Sequence, residues 1–370
     1  MDLLIGLTMM VAAALFIMYA CNPLEQTLDY LGRNMTAGAK GALLMAIASS
    51  LPEIMVAIAF LFSGQPELVL AGVFVTAGSA IFNILLIPAV SILYAKDENG
   101  NKVDSFKLDR KVLTRDAFWL LTVEALFIYY LGLDVFTIGM AASLILIYAV
   151  YVANVLRDSK KNNEEVDGFE FEELDHTETP KVIAWIGYVL DFNKHLFKNK
   201  ALTTKSALIV GGLSCIVIGA ACHYLAESTQ MVSAALGIPV LIGAAVFAAA
   251  ATSLPDTILS KGAAESGEGD DAVANAVGSN IFDTSFAIGL PLLIALTPLG
   301  EWLFGINLKD GIPLTHGDAF MDTVRYFVLG TSALAAAGLI AQANNVTKKT
   351  AYYLLGLYGA WVAYLVYMVA

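Results

Sequence analysis

The chain says nearly the same improbable thing twice. Ser49-Ser50-Leu51-Pro52-Glu53 sits inside one apolar stretch, and Thr252-Ser253-Leu254-Pro255-Asp256 sits inside another. A second matched pair follows each at almost equal distance: Gly78-Ser79-Ala80-Ile81-Phe82-Asn83 after the first, Gly278-Ser279-Asn280-Ile281-Phe282-Asp283 after the second. Carboxylates, hydroxyls and prolines are costly inside segments apolar enough for lipid, so their presence needs a reason. Two copies of one costly pattern point to a duplicated membrane unit whose halves share a polar site.

Composition agrees with a membrane class. The chain is 58% hydrophobic with a mean hydropathy of +0.70, far above a soluble domain. Ten apolar runs approach or exceed the roughly 20 residues that cross a bilayer: 2–20, 36–62, 67–94, 116–132, 134–156, 204–226, 236–260, 270–297, 319–342 and 350–369. The expected fold is an all-α integral membrane protein, ten transmembrane helices arranged as two inverted five-helix repeats. The halves are 1–156 and 204–370, with the duplicated units at 36–94 and 239–297. Cys21, Cys215 and Cys222 lack metal or redox spacing and read as packing residues. The chain opens Met1-Asp2 with no basic leader, so no cleavable signal peptide is expected. Membrane lipid is the expected surrounding, and no nucleic-acid partner or resident cofactor is expected.

Basic residues set the orientation. If the ten segments alternate, every lysine and arginine of the 21 except Lys309 and Arg325 falls on one side, which should be cytoplasmic. Both termini would then be external, and five helices per half turn the halves upside down relative to each other. The net charge of −12 owes much to Glu164 to Glu178, within a cytoplasmic linker at 157–203 that has no EF-hand spacing. Residues 181–199 are amphipathic and should lie along the cytoplasmic interface.

The repeated motifs carry the chemistry. A helical proline removes one backbone donor and opens the preceding turn, so Pro52 and Pro255 free the carbonyls near Ala48 and Ala251. Each proline is followed by a carboxylate and preceded by hydroxyls. Ser50 and Glu53 share a helix face, as do Ser253 and Asp256, Ser79 and Asn83, and Ser279 and Asp283. The resulting donor set is all oxygen: Glu53, Asp256, Asp283, Asn83, Ser49, Ser50, Thr252, Ser253, Ser79 and Ser279. Such a set suits hard cations such as Ca2+ and Na+ rather than soft transition metals. Ser49 and Thr252 have a blander reading, since helical hydroxyls commonly bond back to their own helix.

These residues resemble the calcium/cation antiporter superfamily, and in particular the sodium/calcium exchangers with their two alpha repeats. The resemblance implies that Glu53 and Asp256 are central calcium ligands, helped by Ser49 and Thr252. It assigns Ser50, Ser253, Ser79 and Ser279 to sodium sites and places Asn83 and Asp283 at the middle. It further implies antiport by alternating access, with calcium exported on an inward sodium gradient. The second acid, Asp256, departs from the paired glutamates of proton-driven relatives. Asp283 resembles the potassium-dependent branch, so K+ or H+ as a transported ion stays open. The short loops resemble prokaryotic exchangers, which would place the chain in a plasma membrane.

Other readings remain in view. Intramembrane aspartyl proteases also hold two membrane aspartates, but neither Asp256 nor Asp283 has a Tyr-Asp or Gly-x-Gly-Asp context, so no catalytic residue is assigned. A cation channel could use the same oxygens, although channels usually build rings across subunits. Lys40, which aligns with Gly243, reads as a snorkelling anchor or a tethered cation near the inner vestibule. Segments 1 and 6 are read as the moving pair, with Gly211, Gly212 and Gly219 suited to sliding contact.

Overall fold

A computed structural model describes residues 2–33, 35, 43–44, 46–97, 99–159, 181–198, 203–314 and 319–369. Lys40 and the acidic stretch Glu164 to Glu178 lie outside the described residues. The described chain is mostly helical. In order it runs α1 (Asp2–Leu31), α2 (Ala46–Leu61), α3 (Pro66–Tyr94), β1 (Ser105–Phe106), α4 (Arg110–Leu131), β2 (Val135–Phe136) and α5 (Ile138–Ser159). It continues with α6 (Lys181–Leu190), α7 (Phe192–Phe197), α8 (Thr204–Leu236), α9 (Val240–Glu265), α10 (269–295), α11 (Pro298–Phe304), β3 (Ile312–Pro313), α12 (Ala319–Gln342), β4 (Val346–Thr347) and α13 (Lys348–Val369).

Eight of the described helices are long and apolar enough to cross a membrane, and α2 is a shorter apolar helix. This makes the chain a multi-pass membrane protein. The helix α4 is not among the eight, because Arg115, Asp116 and Glu124 interrupt its apolar run. Two segments are longer than their apolar runs suggest: α1 reaches Leu31 rather than residue 20, and α8 reaches Leu236 rather than 226. Polar residues end the apolar pattern in both, yet both helices continue: α1 runs on through Pro23, which removes one backbone hydrogen bond without ending it, and α8 continues until Gly237 caps it with φ 69°. The amphipathic stretch at 181–199 is two helices. Asp191 separates them and caps the second by accepting from Lys194 N at 2.9 Å.

Burial orders the bundle. In the apolar stretches, 89% of α3 and 78% of α10 is buried, against 22% for α13 and 28% for α5. The central pair α3 and α10 is flanked by α2 and α9, and α3 also packs against α12 and α13. A separate layer is formed by α1 and α8, which run antiparallel along each other. Gly6 meets Val232 at one end of that contact, and Thr27 Oγ1 donates to Ala207 O at 3.3 Å at the other. Of the three glycines expected to make sliding contacts, only Gly211 packs tightly, against Thr27. A Cβ at Gly212 would meet nothing within 4 Å, and one at Gly219 would meet only Met55 Sδ at 3.9 Å. Close approach of α1 and α8 is therefore made at Gly6 and Gly211 rather than at Gly212 or Gly219.

Two short antiparallel ladders tie the loops at opposite ends. Ser105 and Phe106 pair with Thr347 and Val346, and Val135 and Phe136 pair with Pro313 and Ile312. The first ladder gathers basic loops on one end: Lys348 pairs with Asp104 at 3.0 Å, and Lys96 pairs with Glu265 at 3.3 Å. Lys309 belongs to the loop that ends in the other ladder.

Close packing at the centre depends on Gly78. A Cβ there would run into the backbone carbonyl of Ala245, in the π-helical turn Ala244–Ala248 of α9. Gly78→Ala should therefore lower the thermal unfolding midpoint of the detergent-solubilised protein by several degrees, from an overpacking cost of about 1–3 kcal/mol. Gly212→Ala should leave it unchanged or slightly higher. Equal midpoints for the two variants would contradict this packing.

Candidate functional site

Both motif prolines stand where the sequence places a break. Helix α2 is interrupted at Ser50 (φ −93°, ψ 5°) and α9 at Ser253 (φ −82°, ψ 0°). Each proline occupies the first turn of the helix that follows, where its missing N–H is no loss. The carboxylates Glu53 and Asp256 therefore stand in the first turn of a restarted helix, where the dipole favours negative charge. A second irregularity has no first-half counterpart. Helix α10 opens a π-helical turn at Asp283–Ala287, whereas α3 runs as regular α-helix through Asn83. Single π turns inside α-helices commonly mark functional sites.

All ten sequence-predicted site residues are buried with 0% exposure, and hydrogen bonds link most of them. Within the first half, Ser79 Oγ donates to Glu53 Oε1 at 3.1 Å. Within the second half, Ser279 Oγ donates to Asp256 Oδ1 at 3.0 Å. Between halves, Ser79 Oγ lies 2.9 Å from Ser253 Oγ, and Ser49 Oγ lies 3.4 Å from Ser279 Oγ. At the middle, Asp283 Oδ2 accepts from Asn83 Nδ2 at 3.0 Å and lies 3.0 Å from Ser79 Oγ, whose one proton serves either Glu53 or Asp283. Asn83 Nδ2 also reaches Asp256 Oδ2 at 3.4 Å. The repeat is thus legible in the contacts: each motif serine holds its own acid and touches the other half's hydroxyl.

Thr252 Oγ1 donates back to Ala249 O at 3.1 Å, and Ser49 Oγ is 3.4 Å from Ala46 O, as expected for helical hydroxyls. Both also lie beside an acid, Thr252 beside Glu53 and Ser49 beside Asp256. Ser50 Oγ has no hydrogen bond of normal geometry and faces Asp283.

Four buried oxygens of this cluster make no hydrogen bond: Ser50 Oγ, Glu53 Oε2, Asn83 Oδ1 and Asp283 Oδ1. Unpaired oxygens are expensive in a low-dielectric interior. Carboxylate, amide and hydroxyl oxygens together are what a hard cation needs to replace its hydration shell. Among the described residues, no group of three or more His, Cys, Asp and Glu side chains is arranged to hold a metal unaided. Any coordination here must draw on the hydroxyl and amide oxygens as well.

Sequence reasoning passed over other buried polar groups. Glu124 of α4 is fully buried and accepts from Ser332 Oγ of α12 at 2.6 Å. Asp116, also on α4, is held by the Arg115 guanidinium at 2.8 and 3.1 Å. An acid inside the apolar run 116–132 was the available signal, because such acids are rarely idle. Asn280 Nδ2 donates to Ala80 O at 3.0 Å, joining α10 to α3 beside the site. Cys222 Sγ lies 3.6 Å from Pro52 O, so one cysteine read as packing also serves the proline-broken helix.

The model for the family described as sodium/calcium exchanger protein matches residues 5–157 and 206–367, nearly the whole chain outside the linker. The chain belongs to this family. The match confirms the resemblance read from the motifs. Among curated relatives, sodium/potassium/calcium exchanger 4 of Mus musculus is 32% identical over 35% of this chain and 19% of its own length. Sodium/potassium/calcium exchanger 3 of Homo sapiens is 37% identical over 25% of this chain and 14% of its own. The aligned regions thus span less than a fifth of those relatives. Among solved structures, an H+/Ca2+ exchanger superimposes with a TM-score of 0.72 at 15% identity, covering 98% of this chain and 84% of the other. The sodium-calcium exchanger NCX_Mj superimposes with a TM-score of 0.58 at 18% identity, covering 98% and 99%. At these identities the likeness shows a shared membrane-exchanger fold.

Ser79 bonds to Glu53, Asp283 and Ser253, whereas Ser279 bonds to Asp256 and Ser49. Ser79→Ala should therefore weaken cation binding more than Ser279→Ala, by about tenfold in the half-saturating Ca2+ concentration, read by calcium titration of purified protein. A larger effect at Ser279 would reverse this ranking.

Proposed function

We propose that this protein is a secondary antiporter that exchanges Na+ for Ca2+ across the membrane by alternating access and exports calcium. The observation that carries the reading is the crosswise cluster. Glu53, Asp256 and Asp283, two motif serines and Asn83 meet in a fully buried, all-oxygen site contributed by both halves. Glu53 and Asp256, with Ser49 and Thr252, would hold Ca2+. Ser50, Ser253, Ser79 and Ser279 would complete Na+ sites, with Asn83 and Asp283 at the centre. Because both ions use the same oxygens, binding one displaces the other, which couples their fluxes.

The architecture in this reading is ten transmembrane helices in two inverted halves, residues 1–156 and 204–370. Alpha repeats lie at 36–94 and 239–297, and a cytoplasmic linker occupies 157–203. The match of both halves to one family, the paired breaks at Ser50 and Ser253, and the gathering of Lys96, Lys348 and their neighbours at one end all support it. The paired helices α1 and α8, packed on each other more than on the central helices, would move between states while the site stays fixed. The basic end would face the cytoplasm of a prokaryotic cell, with both termini outside.

One observation favours a second reading. Asp283 adds a third carboxylate without a first-half equivalent, so two carboxylates can balance Ca2+ while one negative charge remains. The curated relatives that match are sodium/potassium/calcium exchangers, and K+ could offset that charge. The H+/Ca2+ exchanger among the structural neighbours raises the proton as another counter-ion.

Uptake of 45Ca2+ into proteoliposomes, with an opposing gradient of Na+, of Na+ plus K+, or of H+, tests these readings together. Sodium-driven uptake is expected, and uptake without any opposing ion gradient would indicate a channel instead. Glu53→Gln and Asp256→Asn should each abolish uptake while leaving a monodisperse protein; wild-type flux in either would remove the site assignment. If K+ is co-transported, Asp283→Asn should remove the K+ requirement. For orientation, Asn345→Cys in a cysteine-free background should react with an impermeant maleimide only after permeabilisation.

A further inference from the structure

The fifth helix adds a residue to the second-half side of the site that neither repeat motif contains. The ring of Tyr148, on α5, packs edge-on against Phe282 (centroids 5.3 Å, 76°) and tilted against Phe286 (5.7 Å, 46°). Phe282 immediately precedes Asp283, and Phe286 lies within the π-helical turn Asp283–Ala287. Tyr148 is 6% exposed, its hydroxyl makes no hydrogen bond, and it lies within electrostatic reach of Asp283. Asp283 Oδ1 is likewise buried and without a partner, because Ser79 and Asn83 both bond to Oδ2. The Tyr148 ring therefore borders the turn that carries Asp283, and each of the two residues holds a buried oxygen without a hydrogen bond. An apolar interior does not leave such a pair idle without cost.

The other half shows the same packing without the same chemistry. Tyr358 of α13 packs edge-on against Phe82 (5.8 Å, 86°), as Tyr148 packs against Phe282. Tyr358 is only half-buried, and the residue beside Phe82 is the neutral Asn83 in regular α-helix. The aromatic pair occurs on both sides of the cluster, while a buried phenol packed against a π turn that carries a carboxylate occurs only beside Asp283.

We propose that Tyr148 is a cation-positioning residue: its phenol oxygen and Asp283 Oδ1 bracket a subsite for one small monovalent cation on the second-half side of the cluster. This rests on the ion-exchange reading above and adds to it a ligand from α5. A phenol oxygen donates lone-pair density without charge. With one carboxylate oxygen it suits a singly charged ion, whereas a divalent ion is better served between Glu53 and Asp256. The π turn widens the helix next to Asp283 and gives the carboxylate room to present Oδ1 while Oδ2 stays on Ser79 and Asn83.

The test uses purified full-length protein in detergent, with thermal unfolding followed against NaCl, KCl or CaCl2 at constant ionic strength set by choline chloride. A ligand that binds only the folded state raises the midpoint with its concentration. Wild type is expected to respond to Ca2+ and to at least one of the two monovalent ions. Tyr148→Phe keeps the ring against Phe282 and Phe286 and removes only the hydroxyl. It should shift the monovalent response to about tenfold higher concentration and the Ca2+ response by less than twofold. Asp283→Asn should abolish that monovalent response, and adding Tyr148→Phe to it should change nothing further. Tyr358→Phe should track wild type. A Tyr148→Phe protein that follows wild type in every salt overturns the proposal, as does a shift in the Ca2+ response as large as the monovalent one. A wild type that responds to no cation instead overturns the ion-exchange reading on which the proposal rests, and the two failures are distinguished by the wild-type arm.

Discussion

Three carboxylates share the interior of a helical bundle in which the groups acting on them are hydroxyls, amides and one another. Among the described residues no lysine or arginine acts on them, and much of the surrounding structure follows from that electrostatic cost. Burying like charges together in a low dielectric is costly by several kcal/mol per ion even after relaxation. The fold tolerates it by supplying directed donors: the one Ser79 hydroxyl proton for Glu53 or Asp283, Ser279 for Asp256, and Asn83 Nδ2 for Asp283. Four oxygens are left over, and these are what a desolvated cation can use.

The need to deliver oxygens to one place explains the irregular backbone. A straight α-helix hides its carbonyls and spaces its side chains evenly. Pro52 and Pro255 interrupt α2 and α9 within a turn of the acids, and the restarted helices place Glu53 and Asp256 at their N-terminal ends. The central helices must also approach closely enough for hydroxyls of opposite halves to touch at 2.9 Å. Gly78 against the Ala245 carbonyl makes that approach feasible. The layer of α1 and α8 stands apart from this constraint, since it contributes none of the ten site residues.

Much of this was legible beforehand because a duplicated, energetically costly pattern has few explanations. The proline–acid pairs and the Gly-Ser motifs named the residues that the structure gathers in one buried cluster. The lengths of α1 and α8 were not legible, because hydropathy ends at Asn22 and Glu227 while a helix ends only where its hydrogen bonds do. Helix α4 misled in the opposite sense. Its run at 116–132 reads as apolar, yet Asp116 and Glu124 are buried in it, each held by a partner that sequence cannot pair: the neighbouring Arg115 folded back on Asp116, and Ser332 from a distant helix on Glu124 Oε1, while Glu124 Oε2 makes no hydrogen bond.

The sequence by itself determined the membrane class, the twofold motif and the oxygen character of the site, because composition, repetition and donor chemistry are local properties. Only the tertiary structure decided which hydroxyl serves which acid, since Ser79 and Ser253, or Ser49 and Ser279, meet across more than a hundred residues of chain. It also decided the asymmetry of the centre. Asn83 and Asp283 look like equivalent positions in the motif, but only Asp283 opens a π turn and stands beside the buried phenol of Tyr148. That difference arises from how α5 and α10 pack together, and packing between distant segments is not encoded in either motif alone.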